Sequence, residues 1–343
     1  MKNCSRDIRF DIIKGISIIL VFWGHIFQHS FENFAKNPIF NIIWALQIPL
    51  FMFVAGYFCV TNSDAKSLDF KKIGKRTFAY LLPFFSYFYI VKIGILGAFD
   101  RNIVTATSYL SSHLESSLWF LWVVFVFYVM FTIADVIHNN FKSTFMKLAM
   151  LFLSLLVLLI PWIVIALKIG TAFLGAKYVI YYSVFYCLGI LLKKYKIIIS
   201  KVLANHIFKK LIYVISLFIF TIIVFNSELH SKHDTLLNVF LRLISGFTGI
   251  IVVGSMCLEI KNASSKICNY IIRLGEKTLQ IYFSHMLLLP ILRKIDIPIF
   301  SVDGIVILVI NTIIIGIFTY GIIKIIELNT FTNFIFFGKS IKR

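Results

Sequence analysis

The sequence predicts an all-α, polytopic membrane protein with about ten transmembrane helices and both termini in the cytoplasm. Composition gives the class: of the 343 residues, 59% are hydrophobic and only 14% are charged, with a mean hydropathy of +0.91. A soluble domain carries about 25% charged residues. This chain therefore has too little polar surface to face water, and enough apolar surface to face lipid. Two further observations, the spacing of its apolar segments and the placement of its positive charge, set the helix count and the orientation.

Apolar segments long enough to cross a bilayer recur along the whole chain. A span requires about 20 mostly apolar residues. The candidates are 11–29, 40–60, 77–96, 118–137, 147–166, 177–192, 210–226, 238–258, 278–292 and 305–326. The sixth and ninth are short, which favours a tilted or broken helix for each. Because no linker, repeat or soluble segment interrupts the pattern, we expect residues 1–343 to form a single membrane domain.

The positive charge of the chain is distributed unevenly among the loops. With both termini inside, the inner segments hold 25 of the 34 Lys and Arg residues and the outer segments hold nine. This asymmetry is what cytoplasmic loops of membrane proteins show, and it predicts a multi-pass protein of the cell membrane. A formal net charge of +19 is also typical of nucleic-acid-binding proteins. Here the cations lie between apolar spans rather than on one basic domain, so we expect the lipid bilayer and not nucleic acid as a partner.

The first apolar segment carries ionisable side chains where lipid makes them costly. A central Asp, Lys or Arg costs roughly 2.5–3.5 kcal/mol on insertion scales. Lys14 and His25 are separated by about 20° around a helix and by roughly 16 Å along it, with Asp11 and His29 within about 60° of the same line. One such histidine is compatible with ordinary packing against a neighbouring helix. A stripe of Asp, Lys and His on one face instead predicts the wall of a water-filled cavity.

Four segments combine polar, glycine and aromatic residues in a characteristic order. They are D-x-x-K-G…G-H from Asp11 to His25, the segment 42–57 with Gln47, Pro49, Gly56 and Tyr57, S-L-W-F-L-W at 117–122, and L-G-E-K-T-L-Q-I-Y-F-S-H at 274–285. In this order they resemble blocks of the acyltransferase-3 family of membrane acyltransferases, in its fucose-4-O-acetylase-like branch. The resemblance implies an O-acyltransferase, and the family's helix count agrees with the count of apolar segments.

Two positions depart from the family pattern. Gln47 stands where the family often has a histidine, which lowers the expectation that this position is catalytic. The family tends to carry two arginines three residues apart before a proline of its third helix. Aligned on Pro83, this chain has Arg76 but Ala79. Lys72 and Lys75 have the same three-residue spacing one turn earlier, so the start of the third helix keeps its positive charge.

The resemblance implies transfer of an acyl group, expected to be acetyl, from cytoplasmic acetyl-CoA to a hydroxyl of a cell-surface polysaccharide or lipid-linked sugar. Such a reaction needs a base for the hydroxyl proton, stabilisation of an oxyanion and cations for the polyanionic coenzyme. The candidate catalytic residues are His25, Asp11 and His285, and the candidate cofactor-binding residues are Lys14, Lys72, Lys75 and Arg76. Asp11 is too many turns from His25 to orient its ring, so the partner of His25 is left open among His29, His285 and Glu115.

For the sugar acceptor, the candidate substrate-binding residues are Glu115, Trp119, Trp122 and His29. Aromatic rings stack on sugars and a carboxylate binds their hydroxyls. The alternative for the two tryptophans is an aromatic belt at the membrane interface. No metal site is expected, because the loose group of His230, His233 and Asp234 offers no further ligand nearby.

Other functions share parts of this pattern. A non-enzymatic exporter of polysaccharide or lipid-linked sugar would have the same multi-span body, although transporters often carry internal repeats, and none is seen here. A transferase of succinyl or another acyl group would share the architecture. A structural or chaperone-like subunit would leave the stripe of Asp11, Lys14 and His25 unexplained. The acceptor sugar and the oligomeric state are left open.

Overall fold

Fourteen α-helices form the part of the chain that the computed structural model describes, which comprises residues 7–59, 67–230, 235–260 and 265–339. They are α1 (Ile8–Ser30), α2 (Pro38–Cys59), α3 (Phe70–Phe85), α4 (Ile103–Ser112), α5 (Trp119–Asn139), α6 (Thr144–Lys168), α7 (Ala176–Lys194), α8 (Lys196–Val202), α9 (His206–Asn226), α10 (Leu236–Leu258), α11 (Lys266–Glu276), α12 (Thr278–Leu288), α13 (Val302–Glu327) and α14 (Thr330–Phe337). No strand forms within these ranges, where the one β-bridge joins Phe31 to Ile295. The all-α prediction is confirmed.

Nine helical segments of the described ranges are long and apolar enough to cross a membrane. They are Ile8–Ser30, Pro38–Cys59, Phe70–Ile95, Trp119–Asn139, Thr144–Lys168, Phe173–Lys194, His206–Asn226, Leu236–Leu258 and Val302–Glu327. The ninth predicted segment, 278–292, forms the shorter apolar helix Thr278–Ile291. A multi-pass helical architecture is therefore confirmed, and the cytoplasmic location of both termini stays a prediction.

Two helices begin earlier than their apolar segments, and an aspartate caps each. Asp7 accepts a hydrogen bond from the backbone N–H of Arg9 (3.2 Å), and Asp69 accepts one from the backbone N–H of Lys72 (3.0 Å). These carboxylates satisfy N–H groups that a first helical turn leaves unpaired. The Arg9 guanidinium also holds the pKa of the Asp7 carboxyl below its ordinary value. As a result α3 begins at residue 70 rather than 77.

The second half of the third span departs from α-helical geometry after a proline. Pro83 lies inside α3, where it cannot donate a backbone hydrogen bond. A π-helix follows directly, from Ser86 to Ile95. The Ser86 hydroxyl donates to the carbonyl oxygens of Pro83 and Ile335, each at 3.1 Å. The proline thus marks the point at which the span changes its winding.

The helices group into two compact units, each built from two stretches of the chain. Unit 1 comprises residues 1–54 and 195–325, and unit 2 comprises residues 55–194 and 326–343. In unit 1, α1 packs against α10, α11 and α12, and α9 packs against α10. In unit 2, α5 packs against α3, α6 and α7, and α14 packs against α3. The expectation that residues 1–343 act as a single membrane domain stays a prediction.

Two glycines allow the backbones of α1 and α11 to approach closely. A Cβ atom at Gly15 would lie 2.1 Å from the carbonyl oxygen of Ile271, and one at Gly275 would lie 2.0 Å from the carbonyl oxygen of Asp11. Both distances are far below van der Waals contact, so no larger residue fits either position without moving a helix. This contact fixes the first turns of α1, which carry two of the candidate site residues.

Candidate functional site

Two histidines predicted to be catalytic come together in unit 1. His25 lies on α1 and His285 on α12, and their ring centres are 5.4 Å apart with 43° between the ring planes. His285 is fully buried, whereas His25 is partly exposed. Of the three candidate partners of His25, His285 is therefore the one that α12 brings beside it. His29 lies one turn further along α1.

The hydrogen bonding of His285 shows which of its two ring nitrogens can still accept a hydrogen bond. Nδ1 lies 2.7 Å from the carbonyl oxygen of Ile281, and a carbonyl can only accept, so Nδ1 carries the hydrogen. In a neutral ring, Nε2 then offers a lone pair. Nε2 is buried and has no hydrogen-bond partner among the described residues. A buried acceptor left unpaired costs about 1–3 kcal/mol, so this nitrogen is poised to take a hydrogen from a further group.

Gln47, which stands where the family often has a histidine, packs next to the histidine pair. It is buried, with 8% of its surface exposed. A Cβ atom at Gly24 would lie 2.7 Å from the Gln47 side-chain oxygen. Gly24 precedes His25 in the sequence, so the amide of α2 lies against the backbone that carries the candidate base. This position suits Gln47 for packing against α1 rather than for proton transfer.

At the other end of the polar stripe, Asp11 and Lys14 form an ion pair. The Lys14 ammonium lies 2.6 Å from a carboxylate oxygen of Asp11, with 27% of the Lys14 side chain and 5% of the Asp11 side chain exposed. An ammonium has three hydrogens to donate, and the Lys14 side chain reaches solvent with part of its surface. Asp11 thus contacts Lys14 rather than His25, and it positions the cation.

Apolar side chains separate this ion pair from the histidines. Ile18 and Val21 lie within about 40° of the line that joins Lys14 to His25 around α1. They are 2% and 3% exposed. The polar groups of α1 therefore form two clusters with packed hydrocarbon between them, and the water-filled face expected from the sequence is closed at this level.

His29 lies at the end of α1 among other polar groups of unit 1. It is partly exposed and close enough to Lys294 to interact with it electrostatically. The Lys294 ammonium also lies 5.7 Å from the ring centre of Phe34. Nearby in sequence, the Asn33 amide donates to the Asp296 carboxylate at 2.8 Å. These groups offer both donors and acceptors at the His25 end of the helix.

The three remaining cationic candidates lie on the first turns of α3 in unit 2. Lys75 is exposed, and Lys72 and Arg76 are partly buried. The Arg76 guanidinium acts electrostatically on Tyr80, one turn later. Within the described part of the chain, no carboxylate pairs with Arg76. Of the three cations, Arg76 alone has a planar guanidinium, which can donate two parallel hydrogen bonds to an anion.

The aromatic candidates of unit 2 divide into two roles. Trp119 stacks on Tyr178, with ring centres 4.2 Å apart and 24° between planes. Glu115, exposed in the turn before α5, acts electrostatically on the same tyrosine. Trp122 instead donates its indole N–H to the carbonyl oxygen of Leu174 at 3.1 Å. The structure therefore stacks Trp119 on Tyr178, leaves Glu115 acting on that ring electrostatically, and gives Trp122 a contact that holds the backbone.

Sequence reasoning missed Tyr178 and a polar face of α5. Tyr178 and Tyr182 follow at helical spacing, and both stack with Trp119. On α5, polar residues recur at three- and four-residue intervals: Tyr128, Thr132, Asp135, His138 and Asn139. This periodicity was the available signal. No group of three His, Cys, Asp or Glu residues that could hold a metal occurs among the described residues, and His233 and Asp234 lie outside them.

Comparison with known proteins gives a family match and two relatives. A family model described as "Acyltransferase domain" (Acyl_transf_3) matches residues 7–323. Nodulation protein NolL of Sinorhizobium fredii is 32% identical over 126 residues, covering 35% of this chain and 34% of that protein. Nodulation protein NolL of Mesorhizobium japonicum is 28% identical over 200 residues, covering 54% and 48%. The chain thus matches about a third to a half of the length of these curated relatives. No solved structure gives a significant match.

Proposed function

The chain belongs to the acyltransferase-3 family, and on that premise we propose that it moves an acetyl group from cytoplasmic acetyl-CoA to a hydroxyl of a cell-surface polysaccharide or lipid-linked sugar. One observation carries the proposal beyond family membership. Two imidazoles, His25 and His285, lie 5.4 Å apart between ring centres in unit 1, and one of them has a buried nitrogen with no partner among the described residues.

The two imidazoles fit the proton transfer that this reaction requires. The sugar hydroxyl oxygen attacks the thioester carbonyl carbon, the C–S bond breaks, and the coenzyme leaves as a thiolate that takes up a proton. His25 accepts the hydroxyl proton in this proposal and delivers a proton to the departing sulfur. General acid–base catalysis of this kind contributes typically 10²–10⁴-fold.

His285 supports His25 through the nitrogen that it leaves open. Its Nδ1–H is fixed on the Ile281 carbonyl oxygen, so Nε2 is available to accept a hydrogen bond from the N–H of His25. Two imidazoles joined nitrogen to nitrogen have ring centres about 5 Å apart, close to the 5.4 Å observed. Acceptance by His285 orients the His25 ring and stabilises the imidazolium that forms, which is the role of the third member of a catalytic triad.

The donor coenzyme requires cations for its phosphates. We propose Lys14 of unit 1 and Arg76 of unit 2 as phosphate ligands, each argued from its own surroundings. Lys14 is held by Asp11 and stays partly exposed, and Arg76 is partly buried on the second turn of α3. Lys72 and Lys75 lie on the same turns of α3 and add positive charge there. Because Ile18 and Val21 are packed, entry of the pantetheine arm beside α1 requires these side chains to move.

For the acceptor we propose two groups of side chains. In unit 2, the stacked rings of Trp119 and Tyr178 form an aromatic surface with Glu115 beside it, and this combination suits a sugar ring and its hydroxyls. Trp122 holds the adjacent backbone through its hydrogen bond to the Leu174 carbonyl oxygen and is not part of this surface. In unit 1, His29 lies at the end of α1 with Lys294 and supplies polar contacts near His25.

Mass analysis of the surface glycan tests the function. Cells that carry the gene are compared with cells in which it is deleted, then with deletion cells complemented by the wild-type chain or by His25→Ala. We expect one acetyl group per modified sugar in the first and third strains only. A succinyl-sized difference would redefine the acyl group. An unchanged glycan that fails to reach the surface after deletion would favour an exporter instead.

A further inference from the structure

A lysine of the third span contacts the turn that leads into α5. Lys92 lies in the π-helical segment Ser86–Ile95, and its ammonium donates a hydrogen bond to the backbone carbonyl oxygen of Ser116. The hydroxyl of Ser117 donates a second bond to the same span, at the carbonyl oxygen of Phe84 (3.2 Å). All of these residues belong to unit 2. The third span therefore holds this turn at two points, one of them on a π-helix, a conformation that is frequent at functional sites.

The turn and the start of α5 supply two of the groups proposed to bind the acceptor. Glu115 directly precedes Ser116. Trp119, the first residue of α5, stacks on Tyr178 with ring centres 4.2 Å apart. A second ammonium, that of Lys177, lies 4.9 Å from the ring centre of Tyr178. Two lysines thus make direct contacts in this region, one with the turn and one with the aromatic surface.

The charge of Lys92 is not balanced within the described part of the chain. Its side chain is partly buried, and its ammonium bonds a neutral carbonyl oxygen and lies 5.8 Å from the ring centre of Tyr87. No carboxylate of the described residues pairs with it, Glu115 included. Taking a charge out of water is costly unless it is paired, and a neutral donor would tie the turn at lower cost. A carboxylate or phosphate from a ligand would balance this charge.

The hydroxyl of Ser116 is a second open group next to this ammonium. Its Oγ is buried and has no hydrogen-bond partner among the described residues, and a buried polar atom left unpaired is costly. The hydroxyl and the ammonium lie close together, because the carbonyl oxygen that binds Lys92 belongs to the same serine. A carboxylate or phosphate has several acceptor oxygens and can bind both donors at once. Rotation of the Ser116 side chain would bring its hydroxyl to such a ligand.

We propose that Lys92 and Ser116 form an anion-binding subsite beside the aromatic surface, and that the acceptor is accordingly a sugar that carries a phosphate or a carboxylate. Lys177 adds positive charge at the Tyr178 ring. Lys92 thus determines which acceptors bind well and takes no part in proton transfer. This inference rests on the proposed function, because it takes Trp119 and Tyr178 to bind the acceptor. The competing interpretation is that Lys92 only ties the turn to the third span.

The test compares charged and uncharged forms of one acceptor, using the purified full-length protein and acetyl-CoA. The probe is the lipid-linked oligosaccharide extracted from cells in which the gene is deleted. It is used as extracted, after mild-acid release from its phosphate-bearing carrier, and after reduction of its sugar carboxylates to alcohols. For the wild-type chain we expect at least one treatment to raise the acceptor KM about tenfold, through loss of a charge-assisted hydrogen bond. The treatment that does so identifies the anionic group as phosphate or carboxylate.

Three substitutions of Lys92 separate its charge from its hydrogen bond. Lys92→Arg keeps both and is expected to keep the preference for the charged acceptor. Lys92→Gln keeps a donor for the Ser116 carbonyl oxygen without the charge, and Lys92→Met removes both. We expect the two neutral variants to raise the KM for the charged acceptor about tenfold, with the KM values for the uncharged form and for acetyl-CoA unchanged. Lys142→Met, at an exposed lysine beyond the other end of α5, is the matched control for loss of one positive charge.

The Gln variant keeps the test decisive even where Lys92→Met fails to accumulate. If Lys92 only ties the turn, Lys92→Gln retains the wild-type preference for the charged acceptor, and Lys92→Met raises the KM equally for both forms. Either result would overturn the proposal, as would equal KM values of the wild-type chain for charged and uncharged acceptors. These outcomes differ from failure of the proposed function, in which the wild-type chain transfers no acetyl group to any form.

Discussion

The imidazole rings of His25 and His285 lie with their centres 5.4 Å apart, although they belong to helices near opposite ends of the chain. His285 is fully buried and its Nδ1 is committed to the Ile281 carbonyl oxygen. The other ring nitrogen, Nε2, is buried and has no hydrogen-bond partner among the described residues. It belongs to the ring that lies beside His25, the candidate base. The proposed mechanism depends on this relationship.

The role of His285 can be separated from that of His25 by substitution. His285→Gln keeps a buried amide able to accept a hydrogen bond, whereas His285→Leu removes the acceptor and fills similar space. We expect the Leu variant to lower kcat by about 10²-fold or more, with the Gln variant between it and wild type, and KM for acetyl-CoA little changed in both. Equal activity of the Leu variant and wild type would show that His285 only packs.

Lys14 and Asp11 are expected to act on donor affinity. Lys14→Met removes the ammonium that pairs with the buried Asp11 carboxylate, so it is combined with Asp11→Asn. The double variant is expected to raise the KM for acetyl-CoA about tenfold while kcat changes little, because the cation contacts phosphate and not the reacting carbonyl. Lys201→Met, at an exposed lysine of α8, is the control for loss of one positive charge. A KM equal to that of the control would remove Lys14 from the donor site.

Trp119 and Trp122 are expected to respond differently. Trp119→Leu removes the ring stacked on Tyr178 and should raise the KM for the sugar acceptor with little effect on the KM for acetyl-CoA. Trp122→Phe removes the N–H that binds the Leu174 carbonyl oxygen and should lower stability by about 1 kcal/mol, with both KM values unchanged. The readouts are acceptor kinetics and thermal unfolding in detergent. Unchanged acceptor kinetics for Trp119→Leu would favour an aromatic membrane belt.

The contact between α1 and α11 is expected to tolerate no side chain at Gly275. A Cβ there would lie 2.0 Å from the Asp11 carbonyl oxygen, so Gly275→Ala forces the helices apart. Overpacking of this kind costs typically 1–3 kcal/mol, and it should lower the unfolding temperature. Gly254→Ala is the matched control, because no atom lies within 4 Å of a Cβ at that helical position. Similar unfolding temperatures for the two variants would contradict the close packing.

The spans were readable from the sequence because lipid imposes length and apolarity on every one of them, and nine of the ten predicted segments form helices of spanning length. The early start of α3 was missed since a basic segment reads as a loop. The capping Asp69 was the signal that it continues the helix. Arg76 is consequently a helical residue of unit 2.

The pairing of side chains could not be predicted in the same way. Spacing along α1 places Asp11, Lys14 and His25 on one face, but it does not show that Ile18 and Val21 are packed between them. The choice of His285 as the neighbour of His25 depends on how α12 packs against α1, which no local pattern reports. The ion pair between Asp135 of α5 and Lys194 of α7 likewise joins two helices, although the polar periodicity of α5 was visible in the sequence.

The most direct test of the account is a double-mutant cycle on His25 and His285, measured as kcat for acetyl transfer by purified protein. If the two imidazoles act as one unit, the double alanine variant loses no more activity than His25→Ala alone, because His285 has no function without its partner. Losses that multiply in the double variant, with all three variants folded, would mean that the residues act independently. That result would contradict the proposed histidine pair.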